Sequence, residues 1–303
     1  MRGEACLRSV VIVVIVAIFL GGCRKAGADS GNVVSGPSAT AVTDGPSAEP
    51  SAEPAVPSPT ASSPAANPGA GAAAPSRFTT LKPGSSLPSG SQCATWVRAR
   101  PKKENKGVNR SYNNTTGHRI DTSLFGSGSS LAKRVDGQFT GTTAEILRWT
   151  ACKWGIDEDI VNAQAAIESW WRQTTLGDFG TEASACPQGH GLGVDGQPGK
   201  CPESYGILQN RYPYMKTAFP GAMRSTAMNA DVGYGIWRNC FEGHETWLNT
   251  VERGRQYAAG DVWGCVGRWF SGRWHTDAGE QYVTRVKDYL NQRIWETPNF
   301  QQP

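Results

Sequence analysis

One carboxylate stands out against its surroundings. Glu168 follows Ala163-Gln164-Ala165-Ala166-Ile167 and precedes Ser169-Trp170-Trp171. Small and apolar residues on one side and aromatic residues on the other leave such a side chain little bulk water. Val161, Gln164, Glu168 and Trp171 fall on one helical stripe by their spacing, beside the row that faces the core. Burial disfavours the charged carboxylate, and a place near the C-terminal end of a helix sets it against the negative pole of the macrodipole. Both effects raise its pKa. A carboxyl group that holds its proton near neutral pH is what a general acid requires. Taken alone, the same residue is explained as well by pairing with Arg172 or by exposure, so the rest of the chain decides.

Other chemistries find less support. Eight cysteines and four histidines are present. Apart from Cys6 and Cys23, the cysteines are Cys93, Cys152, Cys186, Cys201, Cys240 and Cys265. They contain no Cys-x-x-Cys pair, and His118, His190, His244 and His275 are scattered, so no metal site is expected. In an oxidising compartment six cysteines read as three disulfides. Proximity favours Cys186 with Cys201, then Cys240 with Cys265 and Cys93 with Cys152. No Gly-x-Ser-x-Gly elbow offers a serine nucleophile, and cysteines bound as disulfides offer no thiolate. No cofactor is expected.

The elements that must hold Glu168 read as helices. Thr142 with Glu145 forms a capping box ahead of Ile146, Leu147 and Trp154, and Gly155 stops that helix. The next opens on Asp157-Glu158-Asp159, whose charges favour a helix N-terminus, and carries Ile160, Ala163, Ile167 and Trp171 on one face. Further helices are predicted from Met228, Val232, Ile236 and Cys240 up to Gly243, from Asp261 to Phe270, and from Tyr282, Val286, Tyr289 and Leu290 after Asp277 and Glu280. Glycines between Gly177 and Glu203 break all periodicity. The expected fold class is α+β, predominantly α. About two hundred residues suffice for one real core. All eleven tryptophans lie between Trp96 and Trp295. Trp149, Trp154, Trp237 and Trp295 are expected in that core, whereas Trp170, Trp171, Trp269 and Trp274 are candidates for stacking on a sugar. The formal charge of +4 argues against nucleic acid as a partner. The basic run Arg98, Arg100, Lys102, Lys103, Lys106 and Arg110 lies among glycines and asparagines and reads as a solvated loop.

Downstream of Glu168-Ser169 come Ser204-Tyr205-Gly206-Ile207-Leu208-Gln209, Trp269-Phe270-Ser271-Gly272 and Tyr282-Val283. In that order these segments resemble the motifs of soluble lytic transglycosylases and goose-type lysozymes, over about residues 144 to 295. The resemblance implies a lysozyme-like catalytic domain with Glu168 as acid and base. It also implies substrate contacts by Ser169, Ser204, Tyr205, Gly206, Gln209, Phe270, Ser271 and Tyr282, and peptidoglycan glycan strands as the partner. Two features depart from the pattern. Phe270-Ser271 stands where the family has Tyr-Asn, and the loop from Cys186 to Cys201 is an unusual Gly-rich insertion.

The number of carboxylates bears on mechanism, because most glycosidases need two and substrate-assisted enzymes one. Asp178, Glu182, Asp195 and Glu203 lie in the loop region, and Glu203 alone adjoins a motif. The expected reading is therefore a single-glutamate lytic transglycosylase that cleaves the β-1,4 bond after N-acetylmuramic acid and leaves a 1,6-anhydro product. A hydrolytic muramidase of the same fold and a catalytically silent wall-binding lipoprotein are the alternatives.

Ahead of the folded part, Arg2 and Arg8 precede an apolar run from Val10 to Leu20 that ends in Leu20-Gly21-Gly22-Cys23. The run is too short to span a bilayer and reads as a lipoprotein signal, with Cys23 as the lipid-modified N-terminus of an extracytoplasmic, membrane-anchored protein. Residues 23–92, rich in Ala, Pro and Ser, are expected to form a disordered linker reaching at most about 200 Å. Residues 93–141 are expected to be an extension packed on a catalytic domain of residues 142–296, with residues 297–303 as a tail.

Overall fold

A computed structural model describes residues 74–103, 107–115, 119–250, 253–254 and 256–300, all within one compact unit, Ser62–Pro303. The signal-like run, Cys23, most of the linker, Lys106 and His118 lie outside the described residues. The order is α1 (Gly90–Arg98), α2 (Ser129–Ala132), α3 (Thr143–Trp154), α4 (Glu158–Ser169), β1 (Leu176–Gly180), β2 (Cys201–Tyr205), β3 (Asn210–Arg211), α5 (Gly221–Arg224), α6 (Thr226–Phe241), α7 (Val262–Ser271) and α8 (Asp277–Gln292). The fold is thus mainly helical, with one antiparallel sheet in the order β1-β2-β3.

Every residue of α6 is buried, so the other elements wrap around it. A helix buried on all sides has to find partners for its polar groups inside the protein, and Asp231, Arg238 and Asn229 do so with bonds that reach several of its neighbours. Asp231 accepts from Lys153 Nζ at 2.7 Å, from Trp154 Nε1 at 2.8 Å, and from the amides of Asp136 and Gly137, both at 2.9 Å. Arg238 donates to the carbonyls of Leu81 and Lys82, both at 2.8 Å. Asn229 donates to the carbonyls of Tyr205 and Ala222 and accepts from the Leu208 amide. α6 therefore fixes the turn that follows β2.

The helix ends obey the capping chemistry of the sequence. Thr142 and Glu145 complete their capping box, Asp157 accepts from the amides of Asp159 and Ile160, and Gly155 closes α3 at φ 56°. α4 stops at Ser169, two residues before the expected stripe runs out, because Trp170 and Trp171 take left-handed backbone at φ 56° and 58°. Cys93–Cys152 ties α1 to α3, Cys240–Cys265 ties α6 to α7, and Cys186–Cys201 closes the Gly-rich loop.

Two boundaries differ from expectation. Packing on the domain begins well before residue 93: Phe78 is buried under the Arg148 guanidinium, and Arg148 donates to the carbonyls of Pro75 and Ser76. A single buried aromatic and several satisfied carbonyls anchor a segment whose composition alone reads as linker. At the other end, Phe300 is buried against Trp170 and Trp171, so the core extends to that residue.

Candidate active site

A cleft of about 830 Å³ runs between the sheet and the α7 end of the domain, with Glu168 in its wall. Glu168 is the penultimate residue of α4, and the left-handed turn at Trp170 ends the helix there. Its carboxyl group lies deep but touches the cleft, so it is partly exposed. Burial pushes its pKa up from 4.5 to about 7. The Tyr282 hydroxyl, which donates to Oε1, pulls the other way, as do Arg285 and the Trp269 indole, while the charge of Asp178 adds to the rise. Desolvation outweighs the donors, so near pH 7 both protonation states are populated. The Tyr282 pKa is raised well above its ordinary value, chiefly by its own burial and then by Glu168, so this hydroxyl remains a donor.

The second wall is built on β2. Ser204 faces the cleft, and its hydroxyl donates to Asp178. Asp178 sits in β1 with left-handed backbone at φ 50°, a conformation that Asp tolerates. The glycine beside it matters, since a Cβ on Gly177 would stand 2.3 Å from Gln209 Oε1. Gln209 lines the cleft and donates to the carbonyls of Thr175 and Gly206.

Of the residues expected to contact substrate, Glu168, Ser204, Gln209, Phe270 and Ser271 line this cleft. Tyr282 stands behind them, stacked on Phe270 at 4.9 Å between centroids and bonded to Glu168. Three residues have other duties. Ser169 is buried and donates to the Ile207 carbonyl at 2.9 Å, pinning the end of α4 to the turn after β2. Tyr205 points to the far side of the sheet, where its hydroxyl donates to the Pro202 carbonyl. Gly206 turns the chain at φ 81°, and a Cβ there would meet Asn229 Nδ2 at 2.3 Å. The motif thus works partly as a scaffold.

The acids of the loop region separate as well. Glu203, which adjoins the motif, is committed to Arg211 at 2.6 Å, and Asp195 to His190 at 3.0 Å. Asp178 shares the cleft with Glu168. Among the stacking candidates only Trp269 lines the cleft. Trp171 and Trp274 are buried, and Trp170 packs on Tyr289 and Phe300. Trp149, Trp154 and Trp237 are fully buried as expected, and Trp295 packs against the core only in part. Trp247, Arg253 and the Arg268–Glu245 pair also line the cleft. No spacing in the sequence connects them to Glu168, because Glu245, Trp247 and Arg253 come from the irregular segment between α6 and α7, and Arg268 from α7 itself. Among the described residues no three His, Cys, Asp or Glu side chains converge to hold a metal ion, and no helix is long and apolar enough to cross a membrane.

No protein-family model matches this chain, and neither the curated proteins nor the solved structures hold a match to it.

Proposed function

We propose that this protein cleaves the glycan strands of peptidoglycan by lytic transglycosylation, with Glu168 as acid and base. The observation that carries the reading is a deeply set Glu168 carboxyl at the wall of an open cleft, held by the Tyr282 hydroxyl and with its pKa raised by burial. The motif resemblance, with its lysozyme-like fold, is in keeping with it. The Glu168 proton passes to the glycosidic oxygen as the C1–O bond breaks and the alcohol leaves. The N-acetyl carbonyl of the substrate attacks C1 and holds the cationic centre. The Glu168 carboxylate then takes the proton of the 6-hydroxyl as O6 bonds to C1 and the bond from C1 to the N-acetyl oxygen breaks, which returns the N-acetyl group, yields the 1,6-anhydro sugar and restores the acid. No water is consumed, so one carboxylate suffices.

Hydrolysis is the second reading, and one observation favours it: Asp178 lines the same cleft and could direct a water to C1. Digesting purified peptidoglycan in heavy-oxygen water separates the two. Lytic transglycosylation gives products lighter by one water and free of the label, while hydrolysis gives labelled reducing ends. Absence of soluble glycan from any peptidoglycan tested would leave the cleft without its proposed substrate.

The same reading places the domain outside the cytoplasm. Three disulfides suit an oxidising compartment, and the sequence up to Cys23 suits a lipid anchor. With packing already present at residue 74, the tether from Cys23 reaches at most about 150 Å.

A further inference from the structure

Three strongly exposed aromatic rings line the cleft, Tyr214 at 70%, Trp247 at 44% and Phe270 at 52%, and each has a guanidinium beside it. Arg211 lies 5.4 Å from the Tyr214 centroid and Arg285 5.8 Å from that of Phe270, while Arg253 and Arg268 lie 5.4 and 5.3 Å from that of Trp247. The charges are used differently. Arg211 is paired with Glu203, and Arg268 binds Glu245 through two bonds of 2.5 and 2.7 Å. Arg285 acts on Glu168.

Arg253 lines the cleft without a carboxylate partner among the described residues. One of its N–H groups donates to the Gly272 carbonyl at 2.9 Å, and a guanidinium has more donors than that. The residue is nonetheless held in place. Its carbonyl accepts from the Trp274 amide at 2.6 Å, and the next residue, Gly254, lies so close to buried Trp274 that a Cβ would meet the Trp274 oxygen at 2.3 Å. A fixed cation with spare donors beside an exposed indole fits a ligand with an apolar ring face and an anionic oxygen pair, since guanidinium and carboxylate match as a fork.

We propose that Trp247 and Arg253 form a carboxylate-binding subsite of the cleft, which takes the acidic substituent of a glycan strand while the neighbouring sugar packs on the indole. The proposal rests on the glycan-cleaving reading and adds to it a preference for carboxylated over neutral strands. The carboxylate has two sources, the lactyl group of a strand stripped of peptide and the stem peptide of an intact one.

The test is calorimetric binding to the Glu168→Gln chain, which does not turn over, of three oligosaccharides of equal length: neutral N-acetylglucosamine oligomer, peptide-free glycan and peptide-bearing glycan. Carboxylated strands should bind more tightly than neutral ones, less so at high salt. Adding Arg253→Gln should weaken them about tenfold, the scale of one charge-assisted pair. It should leave the neutral oligomer within about twofold, and Arg253→Lys should restore part of the loss. Whichever carboxylated strand suffers identifies the source. Equal loss on all three strands, or no loss on any with the neutral oligomer still bound, would overturn the subsite and leave the cleft's substrate class standing. Failure of every oligosaccharide to bind would overturn both. Melting temperature of each variant verifies that the comparison is between folded proteins.

Discussion

Replacing Glu168 by glutamine should make the protein more stable in mild alkali, which is the opposite of what removing a structural ion pair does. In the folded state the carboxyl pKa lies near 7 against an ordinary 4.5, because burial outweighs the donors around it. A group with a raised folded pKa contributes stability that is fully present below its unfolded pKa and lost as pH rises through the folded one. The shift is about 2.5 units and each unit is worth about 1.4 kcal/mol, so the wild type should lose about 3 kcal/mol relative to Glu168→Gln between pH 4 and pH 8. Glutamine carries no such charge and can still accept from the Tyr282 hydroxyl. Denaturant unfolding followed by tryptophan fluorescence, with disulfides intact, measures both proteins across that range. The difference should be flat below about pH 4.5, grow toward pH 7 and level off above it. Parallel curves from pH 4 to pH 8 would show that the folded protein does not raise this pKa, and the general-acid argument would lose its physical basis.

Three further outcomes follow from the same contacts. Tyr282→Phe removes a donor to the Glu168 carboxylate, so the pKa should rise by about one to two units, the worth of a hydrogen bond to a charged group; the alkaline fall in glycan-cleaving rate should move up in pH by the same amount. Asp231→Asn leaves buried Lys153 with half-exposed Asp136 as its remaining anion, and should cost about 3–5 kcal/mol in unfolding free energy while the folded fraction keeps its specific activity. His275 joins Asp261 and Glu280 at the starts of α7 and α8, and although burial alone lowers its pKa, those two carboxylates raise it overall. Its contribution is therefore present below about pH 6.5 and lost as pH rises through the higher folded value. The ring is 43% exposed, so the step should be at most about 1 kcal/mol and absent from His275→Gln in a melting-temperature series.

Much of this was legible in the sequence where local chemistry specifies local structure. The caps at Thr142 and Asp157 are visible as residue types, and so is Gly155 as a stop. The disulfides followed proximity, and the unusual placement of Glu168 among small and aromatic residues marked it without any fold. What the motif could not convey is direction. In β2 successive side chains face opposite sides, so Ser204 meets the cleft while Tyr205 leaves it. A block of motif residues reads as one site only until the strand splits it. Asp178 hid in a Gly-rich stretch without periodicity, and its entry to the cleft depends on the β1–β2 pairing. Trp247 and Arg253 were illegible for a related reason. They lie outside regular elements, and the packing of that segment against Trp274 brings them to the site. Phe78 likewise sits in a composition that reads as linker, and its burial depends on Arg148, seventy residues away in sequence.

The central claim is that Glu168 supplies the proton that breaks a glycan strand. It is tested most directly by comparing the wild type and Glu168→Gln on one batch of purified peptidoglycan, with released glycan quantified by mass spectrometry and melting temperature measured on the same preparations. The wild type should release soluble muropeptides, and the variant should be folded and slower by a factor of at least about 100, the usual cost of removing a general acid. A folded variant that releases glycan at the wild-type rate would contradict the account, as would a wild type that releases none.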